Sequence, residues 1–76
     1  MKIAIIGHGK MGKAIENIAL QRGHEIAGLV GKGHSIDEIK RPVDVAIEFT
    51  TPESAADNVI RCIDLGVPVV CGTTGW

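Results

Sequence analysis

Residues 3–12 have the sequence IAIIGHGKMG, in which a continuous apolar run leads directly into three spaced glycines. Residues 3–6 are apolar without alternation, the pattern of a strand that is buried on both faces of a parallel sheet. The glycines have G-x-G-x-x-G spacing, and an amphipathic pattern with helical period starts at Met11. This order of strand, glycine loop and helix predicts an α/β fold.

The glycine loop predicts a binding site for a dinucleotide rather than a turn that binds nothing. Gly7 permits the tight turn, Gly9 lets the backbone approach a pyrophosphate, and Gly12 lets the helix pack against the strand. The N–H groups and the dipole at the start of the helix favour phosphate groups. The residues of this loop that we expect to contact the cofactor are Gly7, His8, Gly9, Lys10, Met11 and Gly12.

The rest of the chain continues the alternation of strands and helices. The expected elements are a helix from Met11 to Arg22, strands over Glu25–Val30, Val43–Phe49 and Val67–Cys71, a helix capped by Thr51 that runs to about Leu65, and a brief helical turn between Ser35 and Pro42. The helix residues expected to be buried are Met11, Ala14, Ile15, Ile18, Ala19, Ala56, Val59, Ile60 and Ile63. The predicted fold is a Rossmann-like parallel sheet with flanking helices, incomplete at about four strands, with the loops after the strands at one edge.

Composition limits the possible functions further. Apolar residues make up 45% of the chain, and the net charge is −1, so we expect a folded domain without a nucleic-acid partner. The apolar run near the start is too short for a signal peptide or a membrane span, which favours a cytoplasmic protein. Cys62 and Cys71 lack the spacing of metal ligands, and both are expected to be reduced and buried.

Seventy-six residues are about half of the roughly 150 that a complete nucleotide-binding α/β domain needs. We therefore expect residues 1–76 to be part of such a domain. An uncovered sheet edge and apolar face predict marginal stability for this piece alone.

The residues after the second predicted strand bear on the choice of cofactor. Val30, Gly31 and Lys32 occupy the region where NAD-selective folds carry an acidic residue that binds the ribose. Without that carboxylate nothing repels a 2′-phosphate, which Lys32, Lys10 or His34 can pair with. The alternative for Lys32 is an ordinary solvated lysine. The sequence thus favours NADP(H) at least as much as NAD(H).

Three further segments make the sequence similar to one enzyme family. They are EFTTP at residues 48–52, LGVPVV at 65–70 and CGTTG at 71–75. Together with the glycine loop, they resemble the amino-terminal half of the cofactor domain of the 4-hydroxy-tetrahydrodipicolinate reductases, enzymes of the diaminopimelate route to lysine. The pairing of Phe-Thr-x-Pro with Gly-Thr-Thr-Gly is the specific part of this resemblance.

The resemblance implies a reductase that transfers hydride from NAD(P)H to a cyclic imine-type dicarboxylate. It implies that Phe49 and Thr50 line the cofactor groove and that Gly72, Thr73 and Thr74 lie near the nicotinamide ribose. Alternatively, the two threonines bond only their own loop. The family's His-His-x-x-Lys segment, its substrate site and its tetramer interface belong to a second domain. The resemblance therefore implies no catalytic residue among these 76 residues, which we expect to be inactive alone.

Other residues have competing interpretations. Glu48 ends a predicted strand and could be a general base, but we favour a paired or partly solvated carboxylate. We expect His8, His24 and His34 to be solvated or locally bonded rather than catalytic. The alternative functions are another small-molecule NAD(P) dehydrogenase and a non-catalytic dinucleotide-binding module.

Overall fold

The computed structural model describes residues 1–31, 35–40 and 42–75. Within these ranges the chain forms four strands, two α-helices and one 3₁₀ turn. The strands are β1 (Lys2–Ile6), β2 (Glu25–Val30), β3 (Val45–Glu48) and β4 (Val69–Cys71), the helices are α1 (Lys10–Gln21) and α2 (Pro52–Asp64), and the 3₁₀ turn is Ile36–Glu38. The predicted order of elements is confirmed. Lys32 and His34 lie outside the described residues.

The four strands form one parallel sheet in the order β2-β1-β3-β4. The chain leaves β1, adds β2 on one side of it and then adds β3 on the other side. The sheet therefore has its topological switch point between β1 and β3, where open α/β sheets bind ligands. The pairing register between β1 and β2 shifts between Ile26 and Gly28 of β2. A glycine inside a strand often marks an irregularity of this kind. This confirms the Rossmann-like α/β fold.

The core occupies both faces of β1. Ile3 and Ile5 pack with residues of α1, whereas Ala4 and Ile6 pack with the 3₁₀ turn and α2. The exposed fraction of these four side chains does not exceed 6%. Apolar and polar residues do not alternate in this strand because both of its faces are covered by other elements.

The two helices end as the sequence predicts. Gly23 and Gly66 follow the last helical residues with φ angles of +82° and +73°, a conformation that glycine adopts without steric cost.

The start of α2 agrees with the sequence in part. Pro52 occupies the first turn of α2, together with Glu53. Thr51 is the N-cap residue, but its side chain makes no capping hydrogen bond; its hydroxyl instead lies 3.3 Å from the Ser54 hydroxyl.

The buried face predicted for α1 is wrong in part. Ala19 is buried and Ile15 is half-buried, as expected, but the other buried residue of the helix is Gly12. A Cβ built on Gly12 would lie 2.1 Å from the carbonyl oxygen of Gly7. This contact orients the helix face that contains residues 12, 15 and 19 toward the sheet. Larger side chains therefore lie on the sides of the helix rather than on its buried face. The residues that were predicted to be buried but are exposed are Met11, Ala14 and Ile18.

The buried face predicted for α2 is also displaced. Ala55 and Cys62 are buried, and Asn58 lies on the same side of the helix. The amide of Asn58 donates a hydrogen bond of 3.1 Å to Glu48, and this polar contact, together with the small Ala55, sets the rotation of the helix. Of the four residues expected to be buried, Ala56 and Val59 are half-buried, whereas Ile60 and Ile63 are 56% and 65% exposed.

The contact at Gly12 predicts the effect of adding a single methyl group. Gly12→Ala places a Cβ against the Gly7 carbonyl oxygen, so the backbone must move even though alanine favours helix. We expect the free energy of unfolding to fall by about 2 kcal/mol, measured by urea denaturation and circular dichroism. Gly31→Ala, whose Cβ would meet only His8 at 3.6 Å, should change it by less than about 0.5 kcal/mol. Equal free energies of unfolding for Gly12→Ala and Gly31→Ala would contradict the close contact between Gly12 and the Gly7 carbonyl.

Candidate functional site

A cleft of about 680 Å³ lies at the carboxyl edge of the sheet, at the switch point between β1 and β3. Its volume is within the range of small-molecule sites. Loops that follow three different strands form its walls, as the topology predicts. The lining residues are Ile6, Gly7, Gly9, Val30, Gly31, Phe49, Thr50, Thr51, Ser54 and Asn58.

Gly7 joins the ends of three strands. Its N–H donates a 2.7 Å hydrogen bond to the carbonyl of Val30, and the Phe49 N–H donates a 2.8 Å bond to the carbonyl of Ile6. Gly7 has a φ of +99°, and a Cβ on it would lie 1.9 Å from the Phe49 carbonyl oxygen. Only glycine fits this position, because both the conformation and the space exclude a side chain.

Gly72 brings the end of β4 against the ring of Phe49. Its N–H donates a 2.8 Å hydrogen bond to the carbonyl of Glu48, and a Cβ on it would lie 2.2 Å from the aromatic ring. The loop after β4 therefore lies beside the cleft and supports Phe49. Gly72, Thr73 and Thr74 do not line the cleft directly.

A buried carboxylate lies beneath these strand ends. The side chain of Glu48 has 0% exposure, and its oxygens accept hydrogen bonds from groups on β4, α2 and the two loops. The Thr73 hydroxyl donates at 2.5 Å, the Asn58 amide at 3.1 Å and the Cys71 thiol at 3.2 Å. The Thr50 hydroxyl is a fourth donor. Glu48 is thus neither exposed nor placed as a general base; the interpretation of a paired carboxylate is the correct one.

The hydrogen bonds keep this carboxylate ionised. Burial alone raises the pKa of Glu48, but the bonds from Thr50, Thr73, Asn58 and Cys71 outweigh burial and hold the pKa below its ordinary value. The same charge acts on its neighbours. Burial and the negative charge of Glu48 raise the pKa of the Cys62 thiol, which favours its protonated form.

The loops after β3 and β4 are also bonded to each other. The Thr50 N–H donates a 2.9 Å hydrogen bond to the Thr73 hydroxyl oxygen, so Thr73 accepts from one loop and donates to Glu48. The Asn58 amide also donates to the Thr50 hydroxyl, at 3.2 Å. Backbone N–H groups of these strand ends are therefore used within the protein. Those of Phe49, Thr50 and Gly72 are bonded to protein acceptors and are not available to a ligand.

The start of α1 has a different chemistry from the ends of β3 and β4. Its N-cap residue is Gly9, which provides no side-chain cap, and no acidic residue lies in the first turn. Lys10 and Met11 are exposed there, and His8 is half-buried with its Nε2 atom 2.8 Å from a carboxylate oxygen of Glu16. The first N–H groups of a helix have no acceptor within it, so this terminus can bind an anion.

The structure brings some of the predicted site residues together and separates others. Gly7, Gly9, Phe49 and Thr50 line one cleft, and Thr73 is joined to it through Thr50. Gly12 is instead buried below the loop, where it packs against Gly7. Lys32 lies outside the described residues. The remaining predicted site residues, which do not line the cleft, are His8, Lys10, Met11, Gly72 and Thr74.

Sequence reasoning missed two residues of this site and the partners of a third. Glu48 was predicted as a paired or partly solvated carboxylate without its partners, and Asn58 and Cys71 were given no polar role. One signal was present for Glu48, because it is a charged residue at the end of an apolar strand. Another was present for Asn58, which shares a helix side with Ala55 and Cys62.

The reactive or titratable side chains that lie outside the cleft include His24, Cys62 and Cys71. His24 is half-buried, and its Nδ1 atom lies 2.9 Å from the amino terminus, so it is locally bonded as expected. Cys62 is buried, but Cys71 is only half-buried, against expectation, because its thiol reaches Glu48 at the edge of the sheet. Among residues 1–31, 35–40 and 42–75, no cluster of three or more His, Cys, Asp or Glu side chains could hold a metal ion. Neither described helix has the length and hydrophobicity to cross a bilayer.

Comparisons with known proteins agree with the motifs. A sequence model of the family described as "Dihydrodipicolinate reductase, N-terminus" matches residues 1–76. Relatives named 4-hydroxy-tetrahydrodipicolinate reductase from Christiangramia forsetii, Corynebacterium diphtheriae and Streptomyces coelicolor are 39%, 34% and 32% identical to the chain. Each alignment covers 100% of the chain and 32% of the relative. The chain thus spans about a third of the length of the curated relatives it matches.

The ionised, buried Glu48 predicts a dependence of stability on pH. At neutral pH we expect Glu48→Gln to lower the free energy of unfolding by about 2 kcal/mol, because a neutral amide replaces the charged acceptor of several hydrogen bonds. The folded-state pKa is depressed, so the contribution of Glu48 is complete above its unfolded pKa of about 4.3 and is lost as pH falls through the lower folded value. Urea unfolding from pH 7 to pH 3 measures the difference between wild type and variant.

The exposed Glu25 provides the control for this experiment. Glu25→Gln should cost less than about 0.5 kcal/mol at neutral pH. A difference between wild type and Glu48→Gln that stays constant across this pH range would contradict an ionised Glu48.

Proposed function

We propose that this chain is part of the cofactor-binding domain of an NAD(P)H-dependent 4-hydroxy-tetrahydrodipicolinate reductase. This enzyme acts in lysine synthesis through diaminopimelate. The chain belongs to the dihydrodipicolinate reductase family and matches its amino-terminal region. The observation that carries the proposal is the cleft at the switch point, where the glycine loop meets Phe49 and Thr50. The same cleft combines a helix start suited to phosphate with hydroxyl groups suited to a ribose.

The glycine loop fits the pyrophosphate of the cofactor. A Cβ on Gly9 would have no neighbouring atom within 4 Å, so this part of the backbone borders open space in the cleft. The uncapped N–H groups of α1 lie next to it, and Lys10 adds positive charge. A phosphate at this position satisfies the helix start in the way that an acidic side chain does in other helices.

The other half of the cleft fits the nicotinamide ribose. Phe49 and Thr50 line it, and Thr73 reaches it through the hydrogen bond with the Thr50 N–H. The bound cofactor supplies the hydride. The residues of this chain bind and orient that cofactor, and the charged Glu48 is buried and does not line the cleft.

The proposal covers both NADP(H) and NAD(H). The second strand ends at Val30 and is followed by Gly31, so no carboxylate stands at these positions to bind an adenosine ribose or repel a 2′-phosphate. Lys10 lies at the start of α1, on the same edge of the sheet. Lys32 and His34 are the further candidates for a phosphate partner.

Substrate binding and catalysis are proposed for residues beyond this segment of the protein. The relatives are about three times as long as the chain, and no His-His-x-x-Lys segment occurs in its sequence. Exposed apolar side chains on α2 and β4 offer surfaces for further packing; they are Ile60, Ile63 and Val70. We infer that residues 1–76 are inactive alone and that the full-length enzyme is a cytoplasmic homotetramer assembled through a second domain.

Turnover by the full-length protein tests the proposed reaction. The substrate is the freshly formed condensation product of aspartate semialdehyde and pyruvate, and the loss of NAD(P)H absorbance is the readout. We expect oxidation that depends on this product, with aspartate semialdehyde alone and pyruvate alone as controls. Well-folded protein that binds NAD(P)H without turnover would favour a non-catalytic dinucleotide-binding module. Protein that binds neither cofactor would contradict the proposal altogether.

A substitution at Gly9 tests the assignment of the phosphate site. Gly9→Val fills the open space beside the backbone, so we expect NAD(P)H to bind at least about tenfold more weakly, a loss of about 1.4 kcal/mol. The fold should persist, because a Cβ at this position has no neighbouring atom within 4 Å. Ala14→Leu, at an exposed position of α1, is the matched control and should leave the affinity unchanged. Unchanged affinity in Gly9→Val, measured by fluorescence titration, would contradict a pyrophosphate at this loop.

A further inference from the structure

The hydrogen-bond donors around Glu48 are fully used within the protein. The hydroxyls of Thr50 and Thr73 have one hydrogen each, and both donate to the carboxylate, which is much closer to the Thr50 hydroxyl than the Thr51 carbonyl at 3.5 Å. The Asn58 amide donates to Glu48 and to Thr50. The backbone N–H of Thr50 is also used, on the Thr73 hydroxyl. None of these groups can donate to a ligand while the network is intact.

This arrangement determines what the end of β3 can recognise. Thr50 lines the cleft, and its hydroxyl directs its hydrogen at Glu48 and accepts from Asn58, so it can offer a ligand only its other lone pair. A phosphate oxygen or a carbonyl oxygen, which needs a donor, gains nothing there. A ribose hydroxyl or a carboxamide NH₂ group supplies the hydrogen that the lone pair accepts.

We propose that Glu48 is a positioning residue that orients the Thr50 hydroxyl, so that this end of the cleft accepts a donor group of the nicotinamide nucleoside and disfavours phosphate. The inference rests on the proposed function. It adds to that function a division of the cleft into two polarities: N–H donors at the start of α1 and a hydroxyl acceptor at the end of β3. The cofactor then has one favourable direction, with the pyrophosphate at the glycine loop.

Glu48→Gln in the full-length protein tests this role. A glutamine amide has one acceptor oxygen and one NH₂ group, so at least one of the hydroxyls must turn away from it. The two probes are NAD(P)H and ADP, which lacks the nicotinamide nucleoside. We expect NAD(P)H to bind about tenfold more weakly, as for the loss of one hydrogen bond involving a charged group, and ADP to bind within about twofold of wild type.

The control and the alternative outcomes separate this role from a structural one. Glu53→Gln, an exposed change on the same side of the sheet edge, should leave both affinities unchanged. Equal weakening of NAD(P)H and ADP in Glu48→Gln, or no weakening of either, would overturn the positioning role. Wild-type protein that binds neither probe would overturn the proposed function itself. If Glu48→Gln does not fold, Glu48→Asp retains the charge on a shorter side chain, and the same selective loss of NAD(P)H affinity is expected.

Discussion

A carboxylate withdrawn from water must find its hydrogen bonds within the protein, and the edge of this sheet is organised around that requirement. Glu48 is fully buried, and its donors come from β4, from α2 and from the loops after β3 and β4. An unpaired charge at this position would be costly, so the donors are held in place together. The rotation of α2 and the contact between the two loops both follow from this single group.

Close backbone packing completes the same edge, and it leaves one part of the cleft open. Gly7 and Gly72 both lie against Phe49, which therefore connects the loops after β1 and β4. Gly9, in contrast, has open space where its side chain would be. The result is a cleft with unpaired N–H groups at one end and the Thr50 hydroxyl at the other. A dinucleotide has the matching order of groups, a pyrophosphate followed by a ribose and a carboxamide.

The fold could be predicted from the sequence because its signals are local. The apolar run before Gly7 and the glycines after both helices determine the strand and helix boundaries without reference to distant residues. The helix faces could not be predicted in the same way, since they depend on contacts such as that of Gly12 with the Gly7 carbonyl. The network around Glu48 joins residues up to 25 positions apart, and periodicity carries no information about such pairs. The proposed part of Lys32 in cofactor preference concerns a residue outside the described ranges.

A crystal structure of the full-length protein with bound NAD(P)H is the most direct test of the central claim, that the cleft between β1 and β3 holds the cofactor with a fixed direction. The account predicts the pyrophosphate against the first N–H groups of α1 and a donor group of the nicotinamide nucleoside within hydrogen-bond distance of the Thr50 hydroxyl oxygen, with Glu48 still buried. A cofactor bound outside this cleft, or bound with a phosphate at the ends of β3 and β4, would contradict it.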